Sequence, residues 1–306
     1  MAKIILAGGS GNLGSALIKQ FLENEEELII LSRMQSHVVH PNLKYVNWDG
    51  KNLDEWKDSL KDADVLINLC GKSINCRFTK ENQKALYSSR IEPTNVLGEA
   101  IEKLQNPPKL WINFSGVSLF NGAKTIQDEY GREYGNDFLA NLVKDWESIF
   151  LRANTPKTFK VILRVSPVLS KDYGMLKELY PLAKLGLAGK VGSGKQMISW
   201  IDEEDLVRLV QWIINQNHEN ATYHACSPNP ISNEQFMKAL REEAGVKIGI
   251  PLPTLFAKIG SYFKNVDSSM LLETVPVTTK LSLSKGFNFK YPYIQKSLNH
   301  LLTKST

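Results

Sequence analysis

Cysteine is scarce in this chain: Cys70, Cys76 and Cys226 are the three in 306 residues, and their spacing suits no metal. A disulfide framework and a cysteine-bound zinc are thereby excluded, and reduced core or loop thiols are expected. The five histidines (His37, His40, His218, His224 and His300) fall in no ligand motif, so no metal site is expected. No apolar run is long enough to span a bilayer, and no membrane partner is expected. The first apolar segment opens at Ile4, which leaves no room for a secretory signal and gives the expectation of a cytoplasmic protein. The formal charge of +5 suits an anionic small molecule. Lysines and arginines form no dense stripe interleaved with aromatics, so nucleic acid is not an expected partner. Internal repeats and low-complexity tracts are also missing. What is present, 42% hydrophobic and 23% charged residues, is ordinary for a globular chain of one large domain or two smaller ones.

The most informative stretch runs from Lys3 to Gly14. Ile4 to Ala7 reads as a buried parallel strand. Gly8, Gly9, Ser10 and Gly11 follow at once, then Asn12, Leu13 and Gly14, and then an amphipathic helix through Leu22. Strand, glycine turn and helix in that order let backbone approach a pyrophosphate, whose charge the helix N-terminus attracts. Dinucleotide binding is the expectation, because the glycines sit between a buried strand and a helix.

Strand and helix patterns go on alternating. Further strands are expected at Leu28–Leu31, Leu43–Asn47, Val65–Leu69, Leu110–Phe114 and Lys160–Val165. A helix is predicted from an N-cap at Thr79 to about Leu104, kinked or broken at Pro93, and another from Asp137 to Leu151. Trp200-Ile201-Asp202 and the helix after it read as elements returning to the main sheet. This order predicts an α/β fold, a Rossmann-type doubly wound parallel sheet, with a smaller, mostly helical C-terminal substrate domain. Ligands then sit beyond the carboxyl ends of the strands, where the glycine turn, Ser32-Arg33, Asn68, Leu69, Cys70 and Gly71, and Ser115 all fall.

The second strand ends Leu31-Ser32-Arg33, with no acid before Asp49. An acid there would bond the adenosine ribose and repel a 2′-phosphate. Arg33 can instead grip that phosphate through forked, charge-assisted hydrogen bonds, with Ser32 adding another. NADP(H) is therefore the expected cofactor. Asp49 either bonds the adenine edge or forms a turn.

Three-residue glycine spacing on both sides resembles the short-chain dehydrogenase/reductase superfamily, in particular its extended branch of sugar-nucleotide epimerases and dehydratases. Later motifs are similar to one atypical subgroup, described as nucleoside-diphosphate-sugar epimerases with a characteristic small C-terminal domain. They are Asn68-Leu69-Cys70-Gly71, Ser88-Ser89-Arg90, Asp137-Phe138-Leu139-Ala140 with Asp145-Trp146-Glu147, and Gly192-Ser193-Gly194-Lys195-Gln196. Ser199-Trp200-Ile201 with Asp205-Leu206-Val207, and Gly286-Phe287 with Phe289 and Tyr291-Pro292, complete the set. The resemblance covers essentially the whole chain. It implies an NADP-binding Rossmann domain at 1–170, with return elements at about 197–226, and a substrate or cap domain from 171–196 and 227–306.

The superfamily's chemistry uses a Tyr and a Lys four positions later on one helical face, with a Ser or Thr after the fifth strand. Aligned on Trp146-Glu147, the Tyr and Lys positions hold Leu139 and Val143, neither of which moves a proton. Lys144 lies on a different face of the helix. Paired tyrosines found in many subgroup members are replaced here by Leu119 and Phe120. Tyr173 with Lys177 and Tyr180 with Lys184 repeat the spacing beyond the sixth strand, where chance matches are expected. Ser115 remains, either bonding substrate or capping backbone. Tyr134 is either a substitute acid or a packing tyrosine, and Asp128 and Glu129 read as a solvated turn. Arg77, Arg90, Lys195 and Gln196 are candidates for an anionic substrate such as a nucleotide sugar, against solvated or structural roles. Trp200 either stacks on a base or sugar or belongs to the core. Two readings follow: an atypical NADP-dependent epimerase or oxidoreductase acting on a small molecule, or an inactive NADP(H)-responsive binding protein. Either would allow a homodimer.

Overall fold

The computed structural model describes residues 1–33, 39–257 and 267–303 of the chain; His37 lies outside them. Seven parallel strands form the main sheet: β1 (Lys3–Ala7), β2 (Glu27–Ser32), β3 (Leu43–Asn47), β4 (Val65–Asn68), β5 (Leu110–Gly116), β6 (Phe159–Val165) and β10 (Ala221–Ala225). Their order is β10-β6-β5-β4-β1-β2-β3, so the direction of winding reverses between β1 and β4. That reversal opens a crevice at the carboxyl ends of the strands.

The sheet is buried on both faces at its centre because β1, β2 and β4 are mostly apolar, and the period of two sends alternate residues to opposite sides. Ile4 and Leu6 of β1 pack with Leu17 and Phe21 of α1 (Asn12–Glu23) and with Leu206, Leu209 and Ile213 of α5 (Glu203–Ile214). Ile5 and Ala7 face the other way, among Val96, Leu97 and Ile101 of α2 (Lys80–Lys103) and Phe150 of α3 (Phe138–Arg152). Each such side chain, fully buried, contributes on the order of 2 kcal/mol. Thr79 caps α2 by accepting from the Asn82 amide, and Asp137 caps α3 by accepting from Leu139 and Ala140.

Pro93 does not break α2, one of the two outcomes expected of it. Its ring is buried against the turn at Gly50, and the Thr94 hydroxyl donates to the Arg90 carbonyl at 2.7 Å. One missing rung is tolerated where packing holds both halves of the helix.

A second core lies beyond β7 (Val168–Leu169). It joins Leu176 and Ala183 of α4 (Gly174–Lys184), Trp200, Phe236 and Leu240 of α6 (Asn233–Glu243), and Leu298 of the C-terminal helix Ile294–Thr303. The segment at Trp200 does not return to the main sheet. β8 (Met197–Ile198) pairs antiparallel with β11 (Ile231–Ser232), and β9 (Ile201–Asp202) pairs parallel with β7. The main-sheet edge beside β6 is taken by β10, after α5. Among the described residues, no helix is long and apolar enough to cross a membrane. No group of three or more His, Cys, Asp or Glu among them is placed to hold a metal ion.

Candidate functional site

The crevice is built by close backbone contacts. Gly8 has φ +76°, its amide donates to the Leu31 carbonyl at 2.9 Å, and a Cβ there would lie 2.8 Å from Cys70 Sγ. A Cβ on Gly14 would come within 2.1 Å of the Gly9 carbonyl oxygen, so a side chain at either position would push the turn apart. Gly11 behaves differently: a Cβ on it would meet nothing within 4 Å, and Ser10, Gly11 and Asn12 are exposed. Helix α1 starts here with no side-chain cap and no acid in its first turn. Its first amides therefore keep their donors for an outside acceptor.

Arg33 stands exposed just past the end of β2, while Ser32 is buried, with its carbonyl accepting from the Trp48 amide. The positive charge of Arg33 reaches Cys70, although burial prevails and pushes that thiol up to about 12. Both carboxylate oxygens of Asp49 are committed to its own turn, accepting from the amides of Lys51 and Asn52 and from the Asn52 side chain. The turn reading of Asp49 therefore accounts for its contacts. An open Gly11, an uncapped helix and a guanidinium with no acid at the end of β2 fit a dinucleotide carrying a 2′-phosphate.

On the β4 side, the Leu69 amide bonds the Ala7 carbonyl at 2.8 Å and the Asn68 side chain holds the Cys70 amide at 3.1 Å. Arg90 lies under the exposed Gly71, donating to the carbonyls of Lys72 and Leu86, with its guanidinium over the Trp146 ring. Burial lowers its pKa to about 10. It braces this loop from below. Arg77 is half-buried just before α2.

The ends of β5 and β6 carry a different kind of site. Leu139 and Val143 are buried; Val143 packs with Val117, Leu119, Phe120 and Cys226, and Leu139 with Leu86 and Leu142. Beside this apolar wall, Ser115 Oγ donates to Glu147 Oε1 at 2.6 Å. Glu147 also receives Arg164 through two contacts, Nε at 2.9 Å and Nη2 at 2.8 Å. Burial opposes the charge on Arg164, but the Glu147 carboxylate outweighs it and holds the guanidinium above its ordinary pKa. Arg164 Nη1 stands 3.4 Å from His224 Nε2, and burial pushes that imidazole below its usual value. Tyr134, 39% exposed, sets its ring 5.5 Å from Phe120 and its hydroxyl beside the Arg164 guanidinium.

Glu129 corrects an expectation. It is not in a solvated turn but buried, accepting from the amides of His224, Lys280 and Leu281 and from the Thr279 hydroxyl. Trp200 is also corrected as a ligand-stacking residue: it is fully buried in the second core, with its indole N–H on the Asn229 carbonyl. Gln196 bonds the Val191 carbonyl and so fixes the glycine-rich turn, from which Lys195 extends exposed. The two spare Tyr-x-x-x-Lys pairs stand in different surroundings. Burial and the Glu203 carboxylate push the Tyr173 phenol far up, and Lys184 lies over the ring of Tyr180 at 4.5 Å. The sequence reading missed Glu147, Arg164 and His224 as site residues; the buried Glu in Trp146-Glu147 was the available signal.

A family model described as the NAD dependent epimerase/dehydratase family matches residues 4–226. Epimerase family protein SSP1921 of Staphylococcus saprophyticus is 30% identical over 308 residues, covering 99% of this chain and 100% of the relative. The crystal structure of human epimerase family protein SDR39U1 with NADPH is similar at TM-score 0.87 and 28% identity, over 99% of this chain and 100% of that one. The nucleoside-diphosphate sugar epimerase of Corynebacterium glutamicum is similar at TM-score 0.78 and 26% identity, over 98% of this chain and 58% of that one.

Proposed function

The chain belongs to the NAD dependent epimerase/dehydratase family, and we propose that it binds NADP(H) and moves hydride between the nicotinamide and a carbonyl or alcohol carbon of a sugar-like substrate. The observation that carries this reading is the crevice at Gly8–Gly14, open at Gly11 and flanked by Arg33. The amides of Asn12 and Leu13 would take the pyrophosphate, and Arg33 with Ser32 the 2′-phosphate. The relative crystallised with NADPH supports that cofactor. When bound, the dinucleotide supplies the hydride; the chain supplies binding, orientation and exclusion of water. The second core and the glycine-rich turn at Lys195 would receive the substrate, with Arg77 and Lys195 suited to a diphosphate.

Arg33→Asp tests the cofactor. Fluorescence titration is expected to show NADPH bound about 30-fold more weakly, the loss of roughly 2 kcal/mol of charged hydrogen bonding. NADH binding should change little. Equal losses for the two would reject NADP(H) preference.

One observation favours a second reading, an NADP(H)-responsive protein without turnover: Leu139 and Val143 are buried where the superfamily keeps its proton-moving pair. Tight NADPH binding with no consumption against UDP-glucose and small carbonyls would favour it. Family membership supplies the word epimerase; the site must supply the chemistry.

A further inference from the structure

Ser115 and Arg164 meet at the ends of β5 and β6 around a single carboxylate, and Tyr134 packs beside them on the Phe120 ring. Glu147 takes the Ser115 hydrogen at 2.6 Å and both arms of Arg164 at 2.9 and 2.8 Å. The Arg164 guanidinium lies 5.4 Å over the Phe120 ring, and the Tyr134 ring packs 5.5 Å from that same ring. Ser115, Glu147 and Arg164 are buried, whereas Tyr134 is open to the outside. We propose that Tyr134 is the proton donor and acceptor of this site, with Arg164 as its cation, so that the couple absent from α3 at Leu139 and Val143 is rebuilt between a loop and a strand. This rests on the hydride-transfer reading above.

Donor arithmetic assigns the roles. A guanidinium offers only hydrogens, so a Tyr134 hydroxyl beside Arg164 can meet it only as an acceptor, which leaves the phenol O–H to point elsewhere. Ser115 is the reverse: its hydrogen is held by Glu147, leaving lone pairs that can only accept, for example from a substrate hydroxyl. Tyr134 is thus the donor available to a carbonyl oxygen. The other groups facing Arg164 are Glu147 of α3 and His224 of β10, with Glu129 behind His224. His224 is held neutral by burial. The ion pair therefore presents its positive end to the phenol.

In the reducing direction, the substrate carbonyl carbon gains hydride from the nicotinamide while its oxygen takes the Tyr134 proton. The O–H bond of Tyr134 breaks, the alcohol O–H forms, and the dinucleotide leaves oxidised. The phenolate left facing Arg164 regains a proton from water; alcohol oxidation runs the same steps backwards.

Two experiments on the full chain test this. Nitration of Tyr134 by tetranitromethane, followed by mass spectrometry, is expected to slow at least about fivefold with saturating NADPH, since a bound ligand covers its neighbours. Tyr130, 62% exposed, provides the unprotected reference. With 9,10-phenanthrenequinone as carbonyl probe, Tyr134→Phe should lower kcat by at least about 100-fold and leave the NADPH Kd within about twofold. Ser115→Ala should lower kcat less than about tenfold, because that hydroxyl gives no proton. Full nitration of Tyr134 under NADPH, or a Tyr134→Phe protein as fast as the parent, would overturn the proposal. So would a parent protein that binds NADPH yet leaves the quinone unreduced, with the binding reading intact; failure to bind NADPH at all would sink that reading first.

Discussion

The two halves of the crevice are made from opposite materials. At β1, β2 and β4 the surface is backbone: a glycine turn, uncapped amides at α1 and an exposed Arg33. At β5 and β6 it is side chains sealed together, an apolar wall of Leu139, Val143 and Phe120 around the Glu147–Arg164 ion pair. The first half needs small residues and open donors, because its ligand supplies the missing acceptors. The second half is largely satisfied internally, and its rim, at Tyr134, faces outward. The proposed dinucleotide binding and proton transfer would therefore depend on separable residues.

The sharpest way to break that separation is at Gly14. A Val side chain there must displace the Gly9 backbone, 2.1 Å from the first added carbon. We expect Gly14→Val to weaken NADPH binding by more than about 1,000-fold, or roughly 4 kcal/mol, read by fluorescence titration. Binding within a few-fold of the parent would show that the turn is not the pyrophosphate seat.

How legible each half is follows from the same contrast. The turn at β1–α1 is a local string, and local strings can be read because backbone geometry dictates their glycines. Thr79 and Asp137 could be read as helix caps for the same reason. Glu129 could not: its donors come from His224, Thr279, Lys280 and Leu281, 95 to 152 residues away. Arg164 sits in an apolar strand, where nothing local marks it as half of an ion pair with α3. Trp200 was ambiguous because an aromatic at a strand start suits a core as well as a ligand, and only the packing of α4 and α6 decides it.

Glu147→Gln probes the sealed half next. It leaves Arg164 buried without its carboxylate, and removing one partner of a buried pair costs about 3–5 kcal/mol. Urea unfolding should register that loss, while folded protein should hold NADPH within about threefold of the parent, less than 1 kcal/mol. A large loss of affinity at unchanged stability would reverse the assignment of the two halves.

The smallest expected effect tests the seam between them. Thr94 Oγ1 accepts from Asn68 Nδ2 at 3.0 Å and from Trp146 Nε1 at 2.9 Å. Asn68 belongs to the cofactor half, and Trp146 neighbours Glu147 in the other. Thr94→Val keeps the shape and removes the acceptor, leaving two buried N–H groups short, at roughly 1–3 kcal/mol for each one left unpaired. Asn68 keeps its bond to Asn113 Oδ1 at 2.7 Å and still holds the Cys70 amide, so the β4 loop stays in place. The unfolding midpoint should therefore fall while the NADPH Kd moves less than about twofold. A Kd that weakens in step with stability would mean that the seam transmits strain between the halves, making the crevice one cooperative unit.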